Sequence, residues 1–388
     1  MLYCITGANG FIACHRERTA TPQTHLRAHR LIATRVSPPR SPARAPGGPP
    51  LTPCCLARLS LTRVTLCSLA VVKQLIADGH SVRGTVRDIE KHGAHLKSLG
   101  AEVFEVKDLA DEAALQKAFA GVEGVFHMAA VHPEYGFADT PEGRAGILST
   151  AVDGTVTALK AAKASGVKRC VLTSSLAAIE CGNDEGVLTE ATWSKPEVYD
   201  APEKLESTQW TTHYTYVKSK VEQEKAATAF AEEAGLDLRV VVPGNLCVGP
   251  IASEGINGTM TRLKDIVTGT NTLKGAADLA IVHVLDVVAA HVKCMTLESA
   301  KGRFVVASDM VTLEEIFATL KRLYPNMNVA DMDNLDIASG VPGQARKIES
   351  RVEPELGLKL HSYEAAVKDA VDAMIEHKIA MPPAVAAC

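Results

Sequence analysis

A tyrosine and a lysine stand four residues apart in the segment YVKSK, at Tyr216 and Lys220. Residues with this spacing lie on one face of a helix, one turn from each other. The ammonium group would therefore lower the pKa of the phenol from about 10 towards neutrality. Such a tyrosine can donate a proton to a carbonyl oxygen while hydride reaches the carbon. The lysine can also hold the hydroxyls of a ribose.

A serine at the end of a neighbouring strand would complete this chemistry, because its hydroxyl can hold the carbonyl oxygen. The segment TSS, residues 173–175, ends a predicted buried strand. Its last residue lies 41 positions (216 minus 175) ahead of the tyrosine. Both Ser174 and Ser175 are candidates for this role. Together these residue types favour the reduction of a carbonyl group.

Near the start of the chain, Gly7, Gly10 and Ala13 form the pattern G-x-x-G-x-x-A directly after a predicted strand. Glycines in such a turn let the backbone approach a pyrophosphate closely. The helix that follows adds N–H donors and the positive end of its dipole. Gly7 and Gly10, together with Phe11 and Ile12 at the helix start, are therefore predicted to bind a dinucleotide cofactor.

The end of the second predicted strand bears on which dinucleotide is bound. An NAD site usually ends this strand with an acid, whereas an arginine there accommodates a 2′-phosphate. Here the strand ends in Arg87, and Lys91 follows four residues later. The planar guanidinium suits a phosphate, so the sequence favours NADPH. Asp88 stands next to the arginine and leaves NADH open as an alternative.

These residues belong to a regular alternation of strands and helices. Strands alternating with helices of ten to fifteen residues are typical of βαβ units with a parallel sheet. The predicted strands after the first are SVRGTVR (81–87), EVFEVKDL (102–109), GVFHMAA (124–130), RCVLTSS (169–175) and LRVVVPGNL (238–246). The predicted helices include 71–80, 152–166 and 216–235. The pattern predicts an α/β fold of the Rossmann type, with a doubly wound parallel sheet.

Two strand ends supply further candidates for cofactor contacts. Asp108 and Leu109 close the third predicted strand, where the adenine edge of a dinucleotide would lie. Ala129 lies at the end of the fourth, beside the expected nicotinamide. His127 and His132 flank the same end, and hydrogen-bonded structural roles are favoured for them over substrate contact.

Composition excludes several classes of protein. The 388 residues are 46% apolar and carry a formal net charge of -4, which indicates neither a nucleic-acid partner nor a membrane partner. The ten cysteines form no CxxC pair and are interpreted as reduced thiols of a cytoplasmic protein. The thirteen histidines show no metal-binding spacing, so no metal is expected. A first strand beginning at about Leu2 leaves no room for a secretory signal.

Residues 14–68 differ from the rest of the chain. They contain nine arginines, no lysine and one acid, together with eight of the nineteen prolines and four of the ten cysteines. Their middle, SPPRSPARAPGGPP, is typical of unstructured chain. Arginine-rich, acid-poor composition also occurs in transit peptides, but those lie at the N-terminus, whereas this segment follows a strand and a glycine turn.

The position of this segment suggests that it lies outside the working fold. Ala13 falls in the first turn of the first helix, and VVKQ (71–74) continues the same helical pattern. Joining Ala13 to Leu69 gives TGANGFIALAVVKQLIADGH, an unbroken strand, turn and helix. The segment is therefore predicted to be an insertion resembling translated non-coding sequence. A genuine disordered loop is the alternative, since the entropy of loop closure grows slowly with length.

The order of these segments resembles the extended short-chain dehydrogenases/reductases, in particular the branch of dihydroflavonol reductase and cinnamoyl-CoA reductase. The resemblance covers nearly all of the chain except residues 14–68. It is carried by TGANGFIA, VRGTVRD, KDLAD, VFHMAA, VKRCVLTSS, YVKSKVEQEKAA, VVPGNLCVGP, VHVLDVVAAHV and ELGLKLHSYEAAVKDAV.

This resemblance implies a catalytic triad of Ser175, Tyr216 and Lys220. It also implies that Pro243 and the loop after it flank the nicotinamide. Residues 1–245 would form the NADP-binding domain, interrupted by residues 14–68. Residues 246–388 would form a smaller substrate lobe with segments returning to the first domain.

Two features depart from the family pattern or leave a choice open. A second pair, Tyr214 and Lys218, has the same spacing, but the pair Tyr216 and Lys220 keeps SKVEQEKAA in register with the family. Glu180 stands where plant dihydroflavonol reductases place a substrate-reading asparagine. The segment THYTY replaces the NWYCY signature of cinnamoyl-CoA reductases. The substrate is therefore expected to differ from those of both enzymes.

The predicted function is NADPH-dependent reduction of a small ketone or aldehyde to an alcohol, with a tyrosine as the proton donor. A sugar-nucleotide epimerase or dehydratase that keeps NAD bound is the alternative enzyme, because similar tyrosine helices occur there. A third possibility is a non-enzymatic protein, either a dinucleotide sensor or a product impaired by residues 14–68.

Overall fold

The computed structural model provides the fold of one unit of the chain. The chain divides into two units. The first consists of Met1–Cys14 and Leu61–Cys388, and the second of His15–Ser60. All the described residues belong to the first unit. The structure describes residues 1–7, 66–129, 140–183, 186–199, 208–250, 258–268, 278–308, 310–327, 329 and 346–379. Residues 8–65, which include most of the arginine-rich segment, lie outside this description.

The described strands are β1 Leu2–Thr6, β2 Ser81–Val86, β3 Glu102–Glu105, β4 Gly124–His127, β5 Arg169–Thr173, β6 Val187–Leu188, β7 Asp237–Pro243, β8 Leu246–Val248, β9 Asp278–His283, β10 Gly302–Val306, β11 Met310–Thr312 and β12 Lys347–Ile348.

The described α-helices are α1 Leu66–Ala77, α2 Ile89–Ser98, α3 Glu112–Phe119, α4 Pro141–Ala164, α5 Thr208–Ala234, α6 Gly258–Val267, α7 Val284–Thr296, α8 Leu313–Leu323, α9 Val352–Leu356 and α10 Tyr363–Glu376. Two 3₁₀ turns, Leu176–Ala178 and Pro196–Tyr199, precede α5.

Seven parallel strands form the large sheet, in the order β10-β7-β5-β4-β1-β2-β3. Alternate residues of β1 enter different cores, which is why Tyr3, Cys4 and Ile5 are all apolar. Tyr3 and Ile5 pack with residues of α1 and α7, whereas Cys4 packs with residues of α3 and α4. Helices therefore cover both faces, and the predicted Rossmann fold is confirmed.

Strand order reverses beside β1, which pairs with β2 on one side and β4 on the other. In sheets of this kind, ligands bind outside the carboxyl ends of the strands at such a reversal. Since all seven strands are parallel, the ends of β1, β2, β4, β5 and β7 meet at the same edge of the sheet. This edge is where the sequence places its candidate residues.

A three-stranded sheet, β11-β9-β8, has a core of its own with residues of α6, α8 and α10. From the same half of the chain, β10 pairs with β7 in the large sheet. The boundary at residues 245 and 246 and the role of the second half as a substrate lobe stay predictions.

Several predicted elements have different bounds in the structure. The fourth and fifth strands end at His127 and Thr173, before the residues that were expected to close them. The seventh strand ends at Pro243, and a separate strand follows at Leu246–Val248. Residues 66–68, the last of the arginine-rich segment, form the first turn of α1 rather than unstructured chain. The helix extends to include them because Leu69, Val71, Val72 and Leu75 behind them are buried in the core.

Within the described residues, no helix combines the length and apolar character required to span a membrane. No group of three or more His, Cys, Asp or Glu side chains is placed to hold a metal ion in the same part of the chain.

Candidate active site

The turn after β1 brings two strand ends close together. Gly7 has a φ of 66°, in the left-handed region that favours glycine. A Cβ on this residue would lie 2.8 Å from the Cα of Ala129, just beyond the end of β4. Its backbone N–H donates to Oγ1 of Thr85 on β2 at 3.2 Å. Glycine therefore permits three strand ends to converge where the cofactor turn begins.

The remaining residues predicted for this turn lie outside the described part of the chain. They are Gly10, Phe11 and Ile12. His132, predicted near the end of β4, lies outside it as well.

The end of β2 carries a cluster of charges. Arg87 follows the strand and is half-buried. Asp88 caps α2, where its side chain accepts from the backbone N–H of Lys91 at 3.1 Å. The same carboxylate lies 3.0 Å from Nζ of Lys91, and this contact lowers the pKa of Asp88. Asp88, which kept NADH as an alternative cofactor, is therefore bound to a residue of α2.

Asp108 and Leu109 do not close the third strand, because β3 ends at Glu105. The pairing continues only through Val106, whose N–H donates to the carbonyl oxygen of Val86. Asp108 then turns the chain by accepting from the N–H of Ala110 at 2.9 Å. Leu109 is buried in the core, where it packs against Gly154 of α4. Asp108 is exposed, and contact of either residue with an adenine stays a prediction.

The two tyrosine–lysine pairs of α5 have nearly the same geometry. Nζ of Lys220 lies 5.9 Å from the centre of the Tyr216 ring, and Nζ of Lys218 lies 5.8 Å from that of Tyr214. Their surroundings differ. Lys220 is 3% exposed, whereas the side chain of Lys218 is 36% exposed and lies 3.9 Å from Glu222. Lys220 therefore acts in a medium that screens its charge less.

Tyr216 packs beside the turn that begins at Ser175. Its ring is partly buried against a small cluster of Ala177, Cys181 and Val217. Ala177 belongs to the 3₁₀ turn Leu176–Ala178, which Ser175 caps by accepting from the N–H of Ala177 at 3.3 Å. The structure thus brings the predicted proton donor to the end of β5.

The two candidate serines have different partners. Ser174 is buried, and its hydroxyl donates to Oε2 of Glu224 at 2.7 Å. Glu224 is itself buried and paired with Arg303. Ser175 is partly exposed at the carboxyl edge of the sheet. Among the described residues the hydroxyl of Ser175 only accepts, so its hydrogen can hold a carbonyl oxygen, whereas that of Ser174 is donated to Glu224.

Burial changes the acid–base behaviour of the lysine. It lowers the pKa of Lys220 to about 8, while the charge of Glu224 acts in the opposite direction. The ammonium group donates to Oε1 of Gln223 at 3.1 Å. An amide oxygen carries no full charge, so the positive charge of the lysine is not cancelled by this partner. Its field therefore reaches the phenol of Tyr216.

Pro243 and Glu180 are two further residues singled out by the sequence, one at the end of β7 and one after the 3₁₀ turn that follows β5. Pro243 is buried at the end of β7. Glu180 is buried too, and burial raises its pKa although the charge of Arg346 opposes this. Its carboxylate accepts from the side-chain amide of Asn245 and lies 3.5 Å from Nη2 of Arg346, which also pairs with Asp278 at 3.0 Å. Glu180 therefore joins two halves of the chain.

Sequence reasoning missed Gln223, Thr155 and Arg346 in this region. Gln223 lies one helical turn beyond Lys220, and that spacing alone would have indicated it. Thr155 and Arg346 are distant in the sequence from the residues they contact, and no local pattern marks them.

Comparison with known proteins identifies a family. Residues 68–307 match the profile of the NAD dependent epimerase/dehydratase family. The chain is 30% identical over 317 residues to Tetraketide alpha-pyrone reductase 1 of Arabidopsis thaliana, covering 79% of this chain and 91% of that protein. It is 32% identical over 263 residues to Cinnamoyl-CoA reductase 1 of Oryza sativa subsp. japonica, covering 66% and 72%.

Among solved structures, the fold is similar to that of yeast methylglyoxal/isovaleraldehyde reductase Gre2 complexed with NADPH. The TM-score is 0.69 at 20% identity, covering 98% of this chain and all of that one. The resemblance to extended short-chain reductases of the dihydroflavonol reductase and cinnamoyl-CoA reductase type is thereby confirmed.

Proposed function

The chain belongs to the NAD dependent epimerase/dehydratase family, and from this membership we propose that it is an oxidoreductase that uses NADPH to reduce a ketone or aldehyde carbonyl. The observation that carries the proposal is the buried Lys220 beside Tyr216, at the turn that begins with Ser175. The names of the plant relatives, which are reductases, support reduction over epimerisation.

Three side chains divide the chemistry between them. Ser175 holds the carbonyl oxygen of the substrate and aligns it with Tyr216. Tyr216 donates its phenolic proton to that oxygen as the alcohol forms. Lys220 remains charged near the phenol, favours its ionised form and would hold the hydroxyls of the nicotinamide ribose. Pro243 and Ala129 flank the ring of the nicotinamide.

The charges at the end of β2 fit the phosphate of NADPH. Arg87 stands directly after the strand, and the neighbouring Asp88 is held by Lys91 and its own helix. A free carboxylate at this place would repel a 2′-phosphate, whereas Arg87 can bind it with two parallel hydrogen bonds. When bound, NADPH supplies the hydride that the side chains of the protein cannot provide.

The test is a screen of ketones, aldehydes and thioesters with the purified full chain, following the absorbance of NADPH. We expect NADPH consumption with at least one class of carbonyl compound, and little with NADH. If no carbonyl compound causes NADPH consumption and the denatured protein releases NAD, the chain would instead be an epimerase or dehydratase.

A further inference from the structure

A chain of hydrogen bonds runs from the active-site lysine into the protein. Nζ of Lys220 donates to Oε1 of Gln223 at 3.1 Å, and Nε2 of Gln223 donates to Oγ1 of Thr155 at 2.7 Å. Oγ1 of Thr155 lies 3.1 Å from Nε2 of His127. The other ring nitrogen of His127 lies 2.8 Å from Oγ1 of Thr6.

This relay is shielded from water along its whole length. Each of its five side chains is at most 3% exposed. They come from β1, β4, α4 and α5, so four elements must be in place before the relay can form. A donor or acceptor that loses its partner here cannot turn to solvent, and breaking one link leaves a buried polar group unpaired.

The first two links of the relay, from Lys220 to Gln223 and from Gln223 to Thr155, have a fixed direction. Because Oε1 of Gln223 accepts from Lys220, the amide nitrogen must be the end that faces Thr155. Thr155 accepts this bond at Oγ1, and the same oxygen lies 3.1 Å from Nε2 of His127. Burial lowers the pKa of His127 to about 4, with Lys220 acting in the same direction, so the ring is neutral. A neutral ring carries one proton, so one of its nitrogens donates to a threonine oxygen and the other accepts from a threonine hydroxyl.

The direction of the relay decides which end of Gln223 meets the lysine. If the amide were reversed, its NH₂ group would face the ammonium, and two donors would lie together in a buried place. Thr155, which is itself in contact with His127, anchors the amide nitrogen and so keeps the oxygen of Gln223 towards Lys220. Thr155 and His127 also connect the lysine with Thr6, which directly precedes the glycine of the cofactor turn.

The charged groups around Lys220 are paired elsewhere, and its hydrogen-bond partner is the neutral Gln223. Glu224, one turn along α5, is occupied by Ser174 and by Arg303 from β10. Of the other elements, β4 contributes the neutral His127, and α4 contributes Thr155. The acceptor that receives the hydrogen bond of the ammonium group, Oε1 of Gln223, carries no full charge.

We propose that Gln223, oriented by Thr155 and His127, is a positioning residue that holds Lys220 towards Tyr216 without neutralising its charge. The inference rests on the proposed reduction, because it assigns a way of tuning the proton donor of that reaction. A carboxylate in place of the amide would cancel the field of Lys220 at the phenol. The loss of Thr155 would release the amide and leave the ammonium without a fixed partner.

The first measurement is the titration of Lys220 by NMR, with lysine labelled at Cε and with Lys220→Met for assignment. We expect Gln223→Glu to raise the midpoint by about one pH unit or more. In reduction assays the same variant should lower kcat near neutral pH and move the alkaline limb of its pH profile upward. A purely structural role for Gln223 would leave both the midpoint and this limb in place.

The second comparison separates orientation from folding. Thr155→Val keeps the shape of the side chain but lacks the hydroxyl, whereas Thr155→Ser keeps the hydroxyl. We expect Thr155→Val to lower kcat about tenfold and Thr155→Ser to restore most of it, with similar KM for the carbonyl substrate. Thr157→Val, at a partly exposed position of the same helix, is the matched control and should leave kcat unchanged.

An unmoved Lys220 midpoint in Gln223→Glu, or equal turnover of Thr155→Val and Thr155→Ser, would overturn the inference. If one variant does not fold, the other still decides the question. A full chain that reduces no carbonyl would overturn the proposed function instead. The NMR midpoint needs no turnover, so it tests the relay in that case too.

Discussion

The two tyrosine–lysine pairs of α5 differ in burial rather than in spacing. Lys220 is almost fully enclosed, and Tyr216 packs beside the turn that begins at Ser175. Lys218 is partly exposed and lies near Glu222 instead. A charge in the interior acts on its neighbour more strongly than one in water, so we propose Tyr216 and Lys220 as the pair that carries out acid catalysis.

The variant Tyr216→Phe tests this assignment. We expect kcat to fall by at least about a hundredfold, because the proton donor is removed while the ring remains. Binding of NADPH should change little. Tyr214→Phe is the matched control, since it removes a hydroxyl from the other pair. An inactive Tyr214→Phe together with an active Tyr216→Phe would assign the chemistry to Tyr214 and Lys218.

The charged form of Lys220, which the proposed chemistry needs, lowers the stability of the fold because it is buried. Its pKa is about 8 in the folded chain and 10.5 for an ordinary lysine. Below the lower value the buried charge destabilises the fold fully. Between the two values the folded chain has released a proton that the unfolded chain keeps, so stability rises with pH.

We therefore expect Lys220→Met to be inactive, to bind NADPH less well and to be more stable by about 2 kcal/mol near neutral pH. The gain should shrink as the pH is raised towards about 10, where the lysine of the unmodified chain is neutral when folded. Urea unfolding of both proteins across this range measures it. A Lys220→Met protein with the same pH dependence as the unmodified chain would contradict the pKa.

Arg87 tests the cofactor. Arg87→Asp should weaken NADPH binding by about 1.5–3 kcal/mol, because a charged hydrogen bond to the 2′-phosphate is lost. NADH has no such phosphate and serves as the internal control, with little change expected. Fluorescence titration of both cofactors gives the affinities. Equal affinities of the unmodified chain for NADPH and NADH would refute the assignment.

Among the elements, α5 shows where sequence patterns fail. The helix begins at Thr208, eight residues before the predicted start at residue 216. Its first residues include Thr, Trp, Tyr and His, which have modest helix propensity. For β3 the error runs the other way, since the apolar alternation continues past Glu105 although the strand has ended. Contacts that are distant in the sequence determine these bounds.

The same distinction applies to the candidate site. Tyr216 and Lys220 lie on one helix, and their spacing is visible in the sequence. Ser175 follows a strand, and the order of strands predicts its edge of the sheet. Thr155, by contrast, reaches Gln223 from 68 positions away, which no local period can indicate. The residues proposed to do the chemistry could be predicted from the sequence, and those proposed to orient them could not.

A buried ion pair joins α5 to the edge strand β10. Glu224 is fully buried, pairs with Arg303 and accepts from Ser174, directly after β5. Removing the arginine would leave an uncompensated charge in the interior. The pair therefore makes the position of α5 depend on a strand from the second half of the chain.

Arg303→Met should destabilise the fold by about 3–5 kcal/mol, as expected for a buried carboxylate without its partner. Adding Glu224→Gln should recover part of this loss, because the charge is removed. Arg322→Met is the control, since the ion pair of Arg322 with Glu364 is exposed, and a change below about 1 kcal/mol is expected. Guanidinium unfolding measures all three, and a double variant no more stable than Arg303→Met would contradict the account.

At the scale of the whole molecule, residues 14–68 interrupt the regular alternation of strands and helices in the sequence. The family profile matches from residue 68, where the segment ends. The structure describes the chain up to Gly7 and again from Leu66, at the start of α1. We propose that Phe11, Ile12 and Ala13 can replace the first turn of α1 when the segment is removed. This joins the cofactor turn directly to the helix that packs on the sheet.

Deletion of residues 14–68 is therefore expected to raise both the melting temperature and the affinity for NADPH. The restored helix start would present its N–H groups to the pyrophosphate. Thermal melting of the full and deleted chains, with and without NADPH, provides the comparison. A deleted chain that melts lower or binds NADPH less well would show that the segment contributes to the structure.

The pairing of β10 with β7 also affects how long β7 stays unpaired during synthesis of the chain. Strand β7 is synthesised 63 residues (306 minus 243) before the end of its neighbour β10. At about 5–20 residues per second, one edge of β7 would lack this partner for roughly 3–13 s on the ribosome. A long apolar edge of this kind can pair with other chains. A message cut short between these positions would thus yield a product that aggregates, and slower translation there would prolong the exposure.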